Sequence, residues 1–153
     1  MKKKIVPFLD IAYITAVFVL LFSPFLHESR DFIYNKYQFV PFETINRYLY
    51  FYNLRHSSNI LLQLLGNVAI MLPLPPLLYA TFRKMPFFAV AAVSILLTAT
   101  IEPIQYIIDS RMNTYRFVVD VDDTILNELG IIISLVFVGI FDIIYHKMKR
   151  GKI

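Results

Sequence analysis

Three aspartates crowd into four positions at Asp120, Asp122 and Asp123. Clustered carboxylates are the oxygen-rich set that a hard divalent cation, Mg²⁺ or Ca²⁺, takes up, so these three are the candidate metal ligands. The chain has no cysteine, and its three histidines (His27, His56, His146) are scattered without ligand spacing, which leaves a softer metal no site. A second chemistry is general acid or base work. Glu102, a carboxyl inside an apolar run, is one candidate and Asp123 the other. Around them stand groups able to bind a substrate: Asn67, Gln105, Arg116 and Asn127. Simpler roles compete at each carboxylate. Asp123 also suits a helix N-cap, favoured by the helix dipole. Glu102 also suits an ion pair with Arg111 or Arg116, or a proton shared with Gln105.

Spacing groups these residues on helical faces. Asn59, Gln63 and Asn67 fall four apart, on one side of a helix. Glu102 and Gln105 are three apart, with Thr98 four residues before the glutamate. Asp120, Asp123 and Asn127 follow i, i+3, i+7 spacing.

The elements that must carry these faces are membrane helices. Of 153 residues, 58% are apolar and 17% charged, with a mean hydropathy of +0.60. A soluble enzyme is a poor fit to that balance, and disorder a worse one. A spanning helix needs ~20 apolar residues. Four runs are long enough, at about 5–26, 60–82, 87–108 and 124–145. The first follows Lys2, Lys3 and Lys4 but shows no small-x-small cleavage pattern, and reads as a retained signal-anchor helix. The net charge of +4 does not point to nucleic acid, because the cations sit at chain ends and short turns. Lys2, Lys3, Lys4, Arg83, Lys84 and the tail cations Lys147, Lys149, Arg150 and Lys152 fall on one side. The positive-inside rule puts that side, and both termini, in the cytoplasm.

With that orientation Asn67 lies ~10 Å and Glu102 ~9 Å below the outer surface at 1.5 Å per residue, and the aspartates sit at the mouth. The three polar faces therefore share the outer leaflet and can line one outward-facing pocket. Within the outer segment at about 42–54, Phe42, Ile45, Leu49 and Tyr52 recur at helical spacing opposite Glu43, Asn46, Arg47 and Asn53. That pattern predicts a helix lying in the outer interface or packed on the bundle as a cover. Pro73, Pro75, Pro76 and Pro103 remove backbone donors within the spans.

Four pieces in order carry a resemblance: Val40-Pro41-Phe42-Glu43-Thr44-Ile45; Gly66-Asn67-Val68 leading to Pro73; Glu102-Pro103-Ile104-Gln105; and Arg116 followed by Asp120-Val121-Asp122-Asp123-Thr124-Ile125-Leu126-Asn127-Glu128-Leu129-Gly130. In these the chain resembles the VanZ-like family of small multi-pass bacterial membrane proteins. The family's P-L-G reads Pro73-Leu74-Pro75-Pro76 here. The resemblance implies one all-α membrane domain over 1–153, in the cell envelope. It further implies a link to glycopeptide susceptibility, of the teicoplanin type, known for some relatives.

Three roles fit these residues. In the first, the outward pocket binds a membrane lipid or lipid-linked cell-wall precursor, with Arg116 meeting its phosphate directly or beside a metal held by the aspartates. In the second, the protein is an enzyme that transfers or hydrolyses a headgroup, with Glu102 or an aspartate as base. In the third, it is a non-catalytic assembly or transport subunit whose polar faces join protomers into a homo-oligomer.

Overall fold

The computed structural model describes residues 2–22, 37–55, 58–82, 84–112 and 119–150, the end turns of several helices by backbone alone. In chain order the elements are α1 (Lys2–Phe22), β1 (Tyr37–Gln38), α2 (Glu43–Arg55), α3 (Ser58–Met71), α4 (Leu74–Thr81), α5 (Phe87–Ala99), α6 (Ile101–Met112), β2 (Val119–Asp120) and α7 (Val121–Arg150). Helices dominate, as the apolar runs predict.

Three candidate spans emerge: Leu64–Thr81, Phe87–Ile108 and Val121–Met148. The N-terminal helix adds a shorter apolar stretch, Val6–Leu20; the rest of the first expected run, 23–26, lies outside the described residues. Two of the spans are helix pairs broken at the residues expected to break them. Between α3 and α4, Pro73 stands at the N-cap of α4, and prolines fill its first turn. Carbonyls left without helical donors in hydrocarbon need other partners. Here Ile70 O accepts from the Tyr13 hydroxyl of α1 at 3.0 Å, and Leu72 O accepts from Ser134 Oγ of α7 at 2.6 Å. The break thus fastens α1 and α7 onto the same segment. Between α5 and α6 the chain turns at Thr100, three residues before Pro103, and the Thr100 hydroxyl donates to Leu97 O at 2.7 Å.

Burial is inverted relative to a water-soluble core. Among the described residues, the buried side chains include Gln38, Thr44, Ser94, Thr98, Glu102, Gln105, Asp120, Asp122, Asn127 and Ser134, whereas Phe88, Phe137, Phe141 and Ile143 face outward. Small and polar side chains between helices with large apolar ones outside is the arrangement a lipid solvent selects. The long α7 packs against α3, α4 and α5 and forms the axis of the bundle.

The two β elements form a single parallel bridge, with Tyr37 opposite Val119 and Gln38 opposite Asp120. Periodicity has no purchase on pairs of two residues, and no strand is expected from the sequence.

Two helices approach closely at Gly130. A Cβ built there would lie 2.3 Å from the Val68 carbonyl oxygen, a backbone atom that cannot turn aside. At Gly139 the nearest atoms are ring carbons of Phe87 at 3.7 Å. Gly130→Ala should therefore cost ~1–3 kcal/mol through overpacking, lowering the melting temperature of the detergent-solubilised protein by several degrees, while Gly139→Ala melts like the parent. Equal melting of the two variants would contradict the α3–α7 contact.

Candidate functional site

The site begins with one enclosed side chain. Asp122 is 0% exposed, and its carboxylate accepts from Phe42 N at 2.5 Å through Oδ1 and from Ile45 N at 3.0 Å through Oδ2. These amides belong to the start of α2, where a helix has donors without internal acceptors. A carboxylate there meets both the free N–H groups and the positive end of the helix dipole. Phe42 has a φ of 67°, left-handed backbone that a non-glycine residue adopts only when its surroundings hold it there; its N–H is what Asp122 grips. Beside this clamp Gln38 Nε2 donates to the carboxylate of Glu43.

α2 itself covers Glu43–Arg55, close to the expected 42–54. The stripe it turns inward is shifted: Thr44 is buried and Ile45, Tyr48 and Tyr52 half-buried, while Phe42 and Leu49 are exposed. The clamp sets this rotation, because Asp122 fixes which amides of the first turn face α7.

The acidic run supplies its own order. Asp120 Oδ1 accepts from Asp122 N at 2.9 Å, so Asp120 is the residue that caps α7. The helix starts at Val121, a few residues earlier than the apolar run at Thr124 indicates. Asp123 takes no capping role in these bonds. It stands in the first turn and its Oδ1 accepts from Asn67 Nδ2 of α3 at 2.5 Å. The Asp120 N–H in turn donates to Glu102 Oε2 at 3.2 Å.

The structure thus brings Asn67 to Asp123 and Glu102 to Asp120, joining α3, α6, β2 and the head of α7. The three aspartates spread rather than converge: Asp122 binds α2, Asp123 faces Asn67 and Asp120 caps α7. Among the described residues, no group of three His, Asp or Glu side chains is placed to hold a metal ion. Gln105 is buried on α6. Asn127, one turn beyond Asp123 on the same face of α7, is 3% exposed, and its Oδ1 has no hydrogen-bond partner among the described residues. Arg116 and the side chains of Asn59 and Gln63 lie outside the described residues.

Two pairings escape a reading by helical faces. Glu128 Oε1 accepts from Thr98 Oγ1 of α5 at 2.5 Å; Thr98 is expected to share a face with Glu102, but the break at Thr100 separates them. The usable signal was the carboxylate itself, which inside a span requires a donor from a neighbour. The second group lies far down α7, where the Tyr79 hydroxyl donates to the Asp142 carboxylate and His146 Nε2 stands 3.4 Å from the same carboxylate. Nearby on the α1–α4 contact, Thr81 Oγ1 donates to Asp10 Oδ2 at 2.5 Å. At 1.5 Å per residue Asp142 is ~28 Å along α7 from Asp123, so the two polar groups occupy opposite ends of the bundle.

The model of the VanZ/LLP1 family matches residues 8–142, most of the chain. The chain belongs to the VanZ/LLP1 family. No curated protein and no solved structure matches it. As a VanZ/LLP1 member it is a multi-pass membrane protein, and the match takes in both the segment at the start of α2 that meets Asp122 and the acidic run itself.

The clamp yields a direct expectation. Asp122→Asn removes the charge and opposes an N–H to at least one amide it should accept from, so α2 should lose ~2 kcal/mol of anchoring. Hydrogen–deuterium exchange at the amides of Phe42 and Ile45 should then accelerate ~30-fold, by the same energy, whereas Asp123→Asn leaves them protected. Unchanged exchange in Asp122→Asn would refute the clamp.

Proposed function

We propose that this VanZ-family protein acts in the bacterial cell envelope, where it binds or modifies a membrane lipid or lipid-linked cell-wall precursor and thereby affects susceptibility to glycopeptides of the teicoplanin type. The observation that carries this reading is the meeting of Asn67, Glu102, Asp120 and Asp123, drawn from three separated stretches of chain, in one partly enclosed polar row. Polar side chains between membrane helices are costly and mark ligand or ion pathways. In the reading, Glu102 and Asp123 are the groups able to give or take a proton. Asn67, Gln105, Asn127 and Arg116 contact the headgroup, with Arg116 suited to a phosphate.

Charge supports the orientation. In this reading Lys2–Lys4, Arg83, Lys84 and the C-terminal cations flank the spans in sequence on the side away from the row, so the positive-inside rule favours cytoplasmic termini, α1 as the first of four spans and a row turned outward beneath an interfacial α2. The alternative, an assembly subunit whose polar faces join protomers, draws less support. Asn67, Asp123, Thr98 and Glu128 already pair within one chain.

Replacing Glu102 with Gln or Asp123 with Asn should abolish a glycopeptide-tolerance phenotype at unchanged expression, measured as the minimal inhibitory concentration of teicoplanin. Full tolerance in both variants would sink the shared-site reading. Orientation is tested independently, because the chain has no native thiol. A membrane-impermeant maleimide should label Phe39→Cys in intact cells and leave Lys84→Cys unlabelled; the reverse pattern overturns the outward placement.

A further inference from the structure

Among the described residues the polar row is one-sided in its chemistry. Glu102, Asp120 and Asp123 contribute carboxylates, and among the described residues each of those carboxylates accepts a hydrogen bond. Among the described residues no lysine or arginine forms an ion pair with them. The one buried side-chain atom without a partner in the described residues is again an acceptor, Asn127 Oδ1, and it faces the same side of α7 as Asp123 one turn away. A buried acceptor left without a donor costs free energy that an incoming donor recovers. A cluster of carboxylates in apolar surroundings favours a positive charge over a negative one.

Resting on the envelope-lipid reading above, we propose that this row takes the protonated amine of its ligand, an ammonium group that carries N–H donors. The ammonium compensates the carboxylates of Glu102, Asp120 and Asp123, and one of its N–H groups donates to Asn127 Oδ1. Access is from the side of Asp123 and Asn67, which are half-buried where Asp120 and Asn127 are enclosed. Both demands must be met together. A quaternary ammonium has the charge and no N–H; a hydroxyl headgroup has the donor and no charge.

Three phospholipids separate these demands. Phosphatidylethanolamine has charge and donors, phosphatidylcholine has charge alone, and phosphatidylglycerol has hydroxyl donors on an anionic headgroup. Native mass spectrometry of the full-length protein, released from mixed micelles containing equal amounts of the three, should show phosphatidylethanolamine adducts favoured about tenfold over either competitor, the ratio expected of one charge-assisted hydrogen bond. Asn127→Leu fills the same space without the orphaned oxygen. It should melt at or above the temperature of the parent and lose the preference over phosphatidylcholine. Glu102→Gln should weaken the preference over phosphatidylglycerol.

Free ethanolamine distinguishes the two sources of the amine. If millimolar ethanolamine displaces the lipid adduct, the ammonium itself is the recognised group; if only the intact lipid binds, the row reads the amine in its headgroup context. Either supports the proposal. Equal binding of all three lipids, a preference for phosphatidylglycerol, or an unchanged preference in Asn127→Leu overturns the amine assignment while leaving the envelope-lipid reading standing. Absence of any retained lipid overturns both.

Discussion

A carboxylate withdrawn from solvent and bonded to two backbone amides of a helix eighty residues away in sequence holds this molecule's polar end together. Asp122 stops the start of α2 from presenting bare N–H groups, and α2 in turn encloses Asp122. Remove either and the other becomes a buried group without a partner, the expensive situation in a low-dielectric interior. The parallel bridge of β1 with β2 brings Gln38 beside Asp120, and Asp120 caps the helix whose second residue is Asp122. The segment from β1 into α2, the acidic run and the long α7 are therefore one hydrogen-bonded unit.

The rest of the bundle obeys the same requirement one helix at a time. The proline break after Met71 frees carbonyls, and Tyr13 and Ser134 meet them. Thr98 meets Glu128 and Asn67 meets Asp123. Because lipid tails supply no hydrophobic drive between helices, such bonds and close backbone approaches such as that at Gly130 do the joining. The pairs also have direction. All but the Tyr13 bond link a helix to α7, so the row of acidic and amide groups is held on a single axis while large apolar side chains face outward.

Much of this was legible in the residues. Apolar runs located the three long spans, and the positions of Asn67, Glu102 and Asp123 on their helices foretold that their faces would meet. What escaped is long-range or short. No local pattern ties Asp122 to the amides of Phe42 and Ile45, so an aspartate that grips a helix reads in sequence as one more ligand in an acidic cluster. A two-residue bridge has no period, and hence no signature. The inward stripe of α2 shifted because the clamp, rather than the apolar stripe alone, sets the helix's rotation. Capping fell to Asp120 instead of Asp123 because α7 begins with polar residues that hydropathy discounts. Tyr79, Asp142, Thr81 and Asp10 form their pairs between helices whose relative rotation is a tertiary property.

The central claim is that the polar row is a ligand site and not only the fastening of the bundle. Lipid extraction and mass spectrometry of the protein purified from its native membrane tests it most directly, comparing the parent with Glu102→Gln at matched thermal stability. A defined envelope lipid or precursor that copurifies with the parent and is lost from the variant is the predicted result. The same lipid profile in both, indistinguishable from bulk membrane, would contradict it.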